Sequence, residues 1–212
     1  MATLVEGNNE LDVALEPIVL EIDLQVNALY DDCQRSNLGL TLRNFMNTVG
    51  YWQDPTEILP DGWHSLGCGL RFIDADIAQG EIIKTAYLSF CPEGFNKHRV
   101  VNSKIRGQAS GNALSFTTME DFDARPRTDA FVYWDDIEPF VWVGQVWHNS
   151  PEIKPVIQEI IDLPSWRRRN ALVLFWDDFD NRSTPAFHTT REAQSYYNHP
   201  ELAPKLHIEL LR

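Results

Sequence analysis

The sequence predicts an all-β fold, an antiparallel two-sheet β-sandwich of jelly-roll type with one short α-helix at about 150–162. Short apolar or alternating segments recur from Trp63 onwards, Gly, Pro and Asn residues separate them, and a single segment has helical spacing. With 212 residues, 43% of them hydrophobic and 23% charged, the chain is large enough to bury a core.

The chain divides into two predicted parts. Residues 1–62 form an N-terminal extension with one or two strands, which docks on the sandwich or on partners, and residues 63–212 form the sandwich. In the extension, Leu20, Ile22 and Leu24 alternate with polar residues, which is typical of a half-buried strand. Residues 31–62 show no clear period and end in Asp61-Gly62, so we expect a long connection there.

The strands of the sandwich follow from period-2 alternation or continuous apolar runs. In the strand at 128–135, Thr128, Ala130, Val132 and Trp134 alternate with Asp129, Phe131, Tyr133 and Asp135. The other predicted strands are 66–72, 82–90, 101–108, 112–117, 142–147, 170–176 and 206–210.

The helix has recognisable start and stop signals. Ser150 is suited to cap the first turn, Pro151 fits the first helical position, Glu152 suits the positive helix end, and Pro164 ends the helix. One apolar face packs on the core, formed by Ile153, Val156, Ile157, Ile160 and Ile161.

The charge of the chain limits its partners. With 18 basic and 31 acidic residues the formal charge is −13, which repels nucleic acid and anionic lipid, so neither is an expected partner. No apolar run is long enough to span a membrane, and the first residues lack the pattern of a signal peptide. We therefore expect synthesis in the cytoplasm.

The sequence contains no motif that predicts an enzyme. The adjacent carboxylates Asp135-Asp136 and Asp177-Asp178 would point to opposite faces of a strand, and the six histidines lack metal-ligand spacing. The three cysteines have no C-x-x-C spacing, and Cys68 and Cys91 fit buried strand positions.

An acidic loop follows the predicted strand at 170–176. Asp177, Asp178, Asp180 and Asn181 carry the oxygen ligands that Ca²⁺ prefers, so a structural calcium ion is one interpretation of this loop. The loop lacks the Gly and the later Glu of an EF-hand, and a solvated acidic turn is the alternative.

Seven tryptophans raise the question of aromatic binding platforms. Trp134, Trp166 and Trp176 fall in strand or helix-turn patterns, so we expect them in the core. Tyr51, Trp52, Trp142 and Trp147 lie in less regular segments, and they are the candidate contacts to a glycan or to a neighbouring subunit.

A series of short motifs follows in unbroken order from about residue 65 to residue 212. The motifs are Leu70-Arg71-Phe72, Ala86-Tyr87-Leu88, Ile105-x-Gly107, Arg127-Thr128, Ser150-Pro151-x-Ile153, Val156-Ile157-Gln158-Glu159-Ile160, Trp166, Asn170-Ala171-Leu172 and Ala203-Pro204-Lys205-Leu206-His207-Ile208-Glu209. Their order and spacing resemble the DNRLRE-type, carbohydrate-binding-module-like β-sandwich domains of surface proteins and phage gene products. The resemblance implies a non-catalytic jelly-roll module for adhesion, glycan binding or assembly, and residues 1–62 lie outside it.

Two functions are therefore expected, and neither is enzymatic. The first is a structural protein of a virus particle, a decoration, cement or fibre-associated subunit that contacts other virion subunits or further copies of itself as a homo-oligomer. The second is a carbohydrate-binding or adhesion module whose ligands are glycans.

Overall fold

The computed structural model describes residues 18–36, 38–53, 63–93, 99–139, 146–186 and 188–212. In this part of the chain twelve strands form two antiparallel sheets, so the predicted β-sandwich is confirmed. Two α-helices accompany them, Met119–Ala124 (α1) and Lys154–Asp162 (α2). The strands are Val19–Gln25 (β1), Asp32–Ser36 (β2), Gly39–Thr41 (β3), Met46–Gln53 (β4), Trp63–Phe72 (β5), Ile82–Phe90 (β6), Ser103–Gln108 (β7), Arg127–Trp134 (β8), His148–Asn149 (β9), Leu172–Asp177 (β10), Thr189–Gln194 (β11) and Lys205–Leu211 (β12).

The two sheets differ in size. The smaller has the strand order β1-β12-β6-β9, and the larger has the order β11-β4-β5-β10-β7-β8, with β2 pairing with both β3 and β5. β1 pairs with β12 along its whole length, from Val19 opposite Leu211 to Gln25 opposite Lys205. The expectation of a long irregular connection from residue 31 is wrong as far as Gln53, because β2, β3 and β4 occupy that stretch. The expectation of one or two strands in residues 1–62 is also wrong, because β1, β2, β3 and β4 all lie there. The domain boundary at residue 62 stays a prediction.

The core lies between the two sheets and is closed at one end by α2. Trp176 is fully buried, its ring centroid lies 4.3 Å from that of Phe90 and 5.6 Å from that of Trp134, and its Nε1 donates to Ser103 Oγ at 2.8 Å. Trp166 is also fully buried and donates from Nε1 to the Ile77 carbonyl at 2.9 Å. The predicted core positions of these tryptophans are confirmed.

The predicted start of α2 is wrong, because the helix begins at Lys154 and Ser150 does not cap it. Ser150 Oγ accepts a hydrogen bond from the Leu88 amide at 3.0 Å, and the Ser150 amide donates to the Leu88 carbonyl at 2.8 Å. Ser150 therefore pairs with β6 instead of the helix. The predicted apolar face is confirmed, since Ile153, Val156, Ile157, Ile160 and Ile161 are all fully buried.

The segment that leads into α2 covers the edge of β6. The Glu152 carboxylate accepts from the Ala86 amide at 2.7 Å, and Gln158 Oε1 accepts from the Ile83 amide at 3.0 Å. Together with β9 and Ser150, these contacts satisfy backbone groups that another strand could otherwise pair with. This edge of the smaller sheet is thus protected.

Two further predictions need correction. The expectation of one helix is wrong, because α1 precedes β8 and is capped by Thr118, whose Oγ1 accepts from the Asp121 amide at 3.1 Å. The strand predicted at 112–117 is absent. The backbone there bonds to two different segments and not to one partner strand, since the Ala113 amide donates to the Ala171 carbonyl and the Phe116 amide donates to the Tyr30 carbonyl. Most of the strand predicted at 142–147 lies outside the described residues.

The cysteines behave as small apolar residues. All three are free and buried, and burial raises the pKa of Cys68 well above its usual value. The buried positions expected of Cys68 and Cys91 are confirmed. No helix in the described ranges is both long and apolar enough to cross a membrane.

Candidate functional site

The candidate site lies on the outer face of the larger sheet, where β7 and β8 alternate between the core and solvent. Along β7, Ser103 and Ile105 face the core, and Lys104 and Arg106 face outwards. Along β8, Phe131 and Tyr133 face outwards. The strict period of two brings these four side chains to one surface.

Cross-strand register places the outward residues in two rows. Lys104 lies opposite Asp177 on one side and Tyr133 on the other. Arg106 lies opposite Phe175 and Phe131 in the same way. Each cation is therefore flanked by an aromatic ring of β8, within the distance at which cross-strand pairs interact.

The chain itself covers the half of this outer face that lies over β5 and β10. Phe116 and Phe122 pack there against Phe175, with ring centroids 6.3 Å and 5.1 Å from it. The Phe116 ring lies directly over Gly69, where an added Cβ would come within 2.4 Å of the ring. The absence of a side chain at Gly69 allows this close approach.

In the other half of the outer face, Lys104 is buried, but the two aromatic rings of β8 are exposed within the described residues. Phe131 is 46% exposed and Tyr133 is 44% exposed, and their ring centroids are 5.0 Å apart in an edge-to-face arrangement. Aromatic residues and Arg are enriched in protein interfaces, so two exposed rings beside cations favour a contact surface. We call Lys104, Arg106, Phe131 and Tyr133 the β7–β8 face.

Two cations at the rim of this face are neutralised by the chain. The Arg182 guanidinium lies 3.8 Å from the centroid of the Tyr133 ring, and its Nη2 pairs with Asp135 Oδ2 at 2.5 Å. Lys104 Nζ lies 5.2 Å from the centroid of the Phe131 ring and pairs with the Asp180 carboxylate. These ion pairs hold Arg182 and Lys104 beside the rings, and the carboxylates largely neutralise the charge of both cations.

Arg106 differs from its neighbours. Within the described ranges its guanidinium makes no hydrogen bond or ion pair, and its contact is with the Phe131 ring, 6.0 Å from the centroid. By contrast, Arg127 donates to the carbonyls of Arg125 and Phe122 at 2.7 and 3.1 Å. Because a guanidinium has five N–H donors, Arg106 can bind a carboxylate or carbonyl presented by a partner.

Asp177 lies on the same face as Lys104, directly opposite it on β10, but is buried. Burial raises its pKa from 3.8 to about 6, although the Phe179 backbone N–H and the nearby cations, Arg106 first among them, lower it. Its Oδ1 accepts from the Phe179 amide at 3.2 Å. This hydrogen bond joins the buried carboxylate to the backbone of the loop that follows β10.

The other residues predicted as calcium ligands also have protein partners. Asp178 accepts from the amides of Arg182 and Ser183, at 2.8 and 3.1 Å, and Asn181 Oδ1 accepts from Ser65 Oγ. No three His, Cys, Asp or Glu side chains are grouped to hold a metal ion in the described part of the chain. Calcium stays a prediction, and a titration with Ca²⁺ that produces neither heat nor a higher melting temperature would contradict it.

The predicted aromatic contacts are not brought together. Tyr51 and Trp52 are half-buried in β4 of the larger sheet, where the Trp52 ring makes an edge contact with His188. Trp147 is half-buried beside the smaller sheet, with Lys205 Nζ 4.1 Å from the centroid of its ring. Trp142 lies outside the described residues. Whether any of them contacts a ligand stays a prediction.

Sequence reasoning placed Phe131 and Tyr133 in a strand but did not select them. The sequence did contain an indication, because β8 carries large apolar residues at both inward and outward positions. A strand that packs on one core needs them at the inward positions only. Arg106 carried no signal of its own, since a missing ion pair can be recognised only in three dimensions.

Comparison with known proteins identifies no family. No protein family model matches the sequence, and no curated protein matches it either. A solved structure from Desmodium yellow mottle tymovirus matches with 11% sequence identity over 100% of this chain and 94% of that chain, at a TM-score of 0.26. A TM-score this low carries no argument about fold or function. The β-sandwich is therefore established by the chain's own strand pairing.

Proposed function

We propose that this protein is a non-catalytic structural and binding protein that contacts other protein subunits through the β7–β8 face. The observation that carries the proposal is the exposed ring pair Phe131 and Tyr133 beside Arg106, whose guanidinium makes no hydrogen bond or ion pair in the described ranges. Aromatic rings and Arg at the centre of a contact are the side chains that dominate binding energy.

The proposed setting is a virus particle, in which the chain is a decoration, cement or fibre-associated subunit and forms a homo-oligomer. This setting is supported by the motif resemblance to a family that includes phage gene products, and by the absence of a catalytic motif from the sequence. The net charge of −13 supports a protein partner over nucleic acid or an anionic membrane.

The proposal is tested by site-specific photo-cross-linking in cells that produce the particle. A photoreactive phenylalanine analogue at position 131 should give adducts with other virion subunits or with further copies of the chain, identified by mass spectrometry. The matched control is position 45, because Phe45 is 58% exposed and forms an edge contact with Tyr197 away from the β7–β8 face. Equal adducts at the two positions, or none at 131, would contradict the proposal.

The virion setting has its own measurement. A chain that belongs to a particle should migrate with it through a density gradient and remain after washing in moderate salt. Recovery of the chain only at the top of the gradient, free of particles, would contradict a virion role while leaving a subunit contact open to the cross-linking test.

A carbohydrate-binding function is the second candidate, and Trp147 is the observation that favours it. Its ring lies beside the outer face of the smaller sheet, where Tyr87 and His207 stack with centroids 4.8 Å apart. Aromatic rings beside polar groups suit the faces of sugars. A glycan array should then show a ligand whose binding falls in Trp147→Ala, and an array without any ligand would contradict this candidate.

A further inference from the structure

A second exposed surface lies on the opposite side of the sandwich, on the outer face of the smaller sheet. Val19, Leu211 and Ile82 lie opposite one another on β1, β12 and β6 and form an apolar row. Val19 is 40% exposed and Ile82 is 58% exposed. The solvated face of an antiparallel sheet commonly carries polar residues, so an exposed apolar row among the described residues is unusual.

The next row along the same strands is acidic. Glu21 lies opposite Glu209, and Glu209 pairs with Lys84 at 2.8 Å. Glu21 is exposed and has no ion pair or side-chain hydrogen bond in the described part of the chain. We call Val19, Glu21, Ile82 and Leu211 the β1–β12 face.

The two faces complement each other in chemistry and position. The β7–β8 face presents aromatic rings with Arg106, and the β1–β12 face presents aliphatic side chains with Glu21, and among the described residues neither charged group makes an ion pair. They lie on the outer sides of the two sheets and therefore point away from each other. One copy of the chain cannot bring them together, but two copies can.

We propose that the partner of the β7–β8 face is the β1–β12 face of a second copy of this chain, with Arg106 of one copy paired with Glu21 of the next. This inference rests on the proposed function, since it names the partner of the same surface. The rings of Phe131 and Tyr133 pack on the aliphatic row, and the charge pair sets the orientation, as expected for electrostatic complementarity across an interface.

The charges also decide against a symmetric pair. If two β7–β8 faces met around a two-fold axis, Arg106 would approach the same residue of the other copy, and two β1–β12 faces would bring together two Glu21 carboxylates. Like charges placed opposite each other disfavour both arrangements. The contact is therefore head-to-tail, and such contacts continue from copy to copy until they close into a ring or extend as a filament.

Sedimentation velocity of the full chain over a range of concentrations tests this contact with charge reversals. The wild type should self-associate, and Arg106→Glu and Glu21→Arg should each weaken association about tenfold or more. The double variant Arg106→Glu/Glu21→Arg should restore association, because the pair is re-formed with its charges exchanged. The controls Lys154→Glu and Glu120→Arg apply the same changes in charge outside both faces, and circular dichroism shows that each variant is folded.

The outcomes separate this inference from the proposed function. Association that Arg106→Glu weakens but Glu21→Arg leaves unchanged would overturn the choice of partner surface and leave the β7–β8 face as the contact, and loss in both single variants without rescue in the double variant would overturn the pairing of Arg106 with Glu21. A wild type that stays monomeric at every concentration would overturn self-association, while cross-links from position 131 to another protein would still support the proposed function. Association that Arg106→Glu leaves unchanged would overturn this inference, and the cross-linking at position 131 would still decide the proposed function separately.

Discussion

The two halves of the outer face of the larger sheet share strands and alternation but differ in what lies over them. Over β5 and β10, Phe116 and Phe122 cover Phe175, and the Arg127 guanidinium lies 3.4 Å from the centroid of the Phe175 ring. Over β7 and β8, Phe131 remains exposed beside Arg106. Similar side chains are thus buried in one half and exposed in the other, according to whether the chain's own loop covers them.

The largest expected effect on stability comes from a substitution in the covered half, over β5 and β10. Phe116→Ala should lower the free energy of unfolding by about 3–5 kcal/mol, since it removes a buried ring and leaves a cavity. Denaturant unfolding followed by fluorescence measures the loss. A cost below about 1 kcal/mol would mean that the covering segment contributes little to stability, and the contrast between the two halves would fail.

The pH dependence of stability tests the buried carboxylate at the border of the two halves. Because the pKa of Asp177 is raised to about 6, the native state binds this proton more tightly than the unfolded chain does. Stability should therefore fall as pH rises from about 4 to about 6, by on the order of 3 kcal/mol for this group.

Asp177→Asn should remove part of that fall and stabilise the chain at pH 7. The rest should remain, because burial also raises the pKa of Asp32 to about 6. Thermal or denaturant unfolding at several pH values measures both effects, and Asp129→Asn serves as the control at an exposed position. A variant with the same pH profile as the wild type would show that Asp177 ionises as readily in the fold as in the unfolded chain.

The close approach at Gly69 can be tested by adding one methyl group. Gly69→Ala should cost about 1–3 kcal/mol, because the new Cβ would overlap the Phe116 ring and the ring would have to move. In a Phe116→Ala background the same substitution should cost much less, since the ring is gone. Additive costs in this double-mutant cycle would rule out the ring as the cause.

The smallest effect on stability is expected in the half over β7 and β8. Phe131→Ala should change the free energy of unfolding by no more than about 0.5 kcal/mol, as is usual for exposed positions, yet it should weaken association in the sedimentation assay. A destabilisation as large as that of Phe116→Ala would indicate that Phe131 is required by the fold, and it would lose its value as evidence for a contact.

Apolar periodicity was sufficient to predict most of the fold. The strand predicted at 82–90 is β6 with the same bounds, and those predicted at 128–135 and 206–210 differ from β8 and β12 by one residue at either end. These strands have large apolar side chains at alternate positions, and the alternation follows directly from packing on one core.

β11 shows why other strands could not be predicted. Its sequence TTREAQ is polar although every residue in it is buried. Arg191 is accommodated because its guanidinium donates to the carbonyls of Ile137, Glu138 and Arg99, which are distant in sequence. A strand stabilised by such hydrogen bonds has no apolar period, so the sequence alone could not show it.

The candidate site was predicted only in part, for a related reason. The carboxylates of the loop after β10 were visible as a cluster of oxygen ligands, but their hydrogen bonds to nearby amides were not. The β7–β8 face depends on which half of the outer face the segment with Phe116 covers. That choice involves Gly69 and Phe175, and no spacing in the sequence connects them.

The pairing of β1 with β12 has a consequence for the order in which the molecule folds. β12 lies between β1 and β6, so the smaller sheet has no continuous set of pairs until the last strand has been synthesised. Until then the inward apolar residues of β1 and β6 lack the strand that lies between them. The pairing of β1 with β12 closes a loop of most of the chain, and contacts so distant in sequence form slowly. Loss of β12 would therefore leave β1 without its partner and one edge of β6 open, and aggregation of incomplete chains is the expected result.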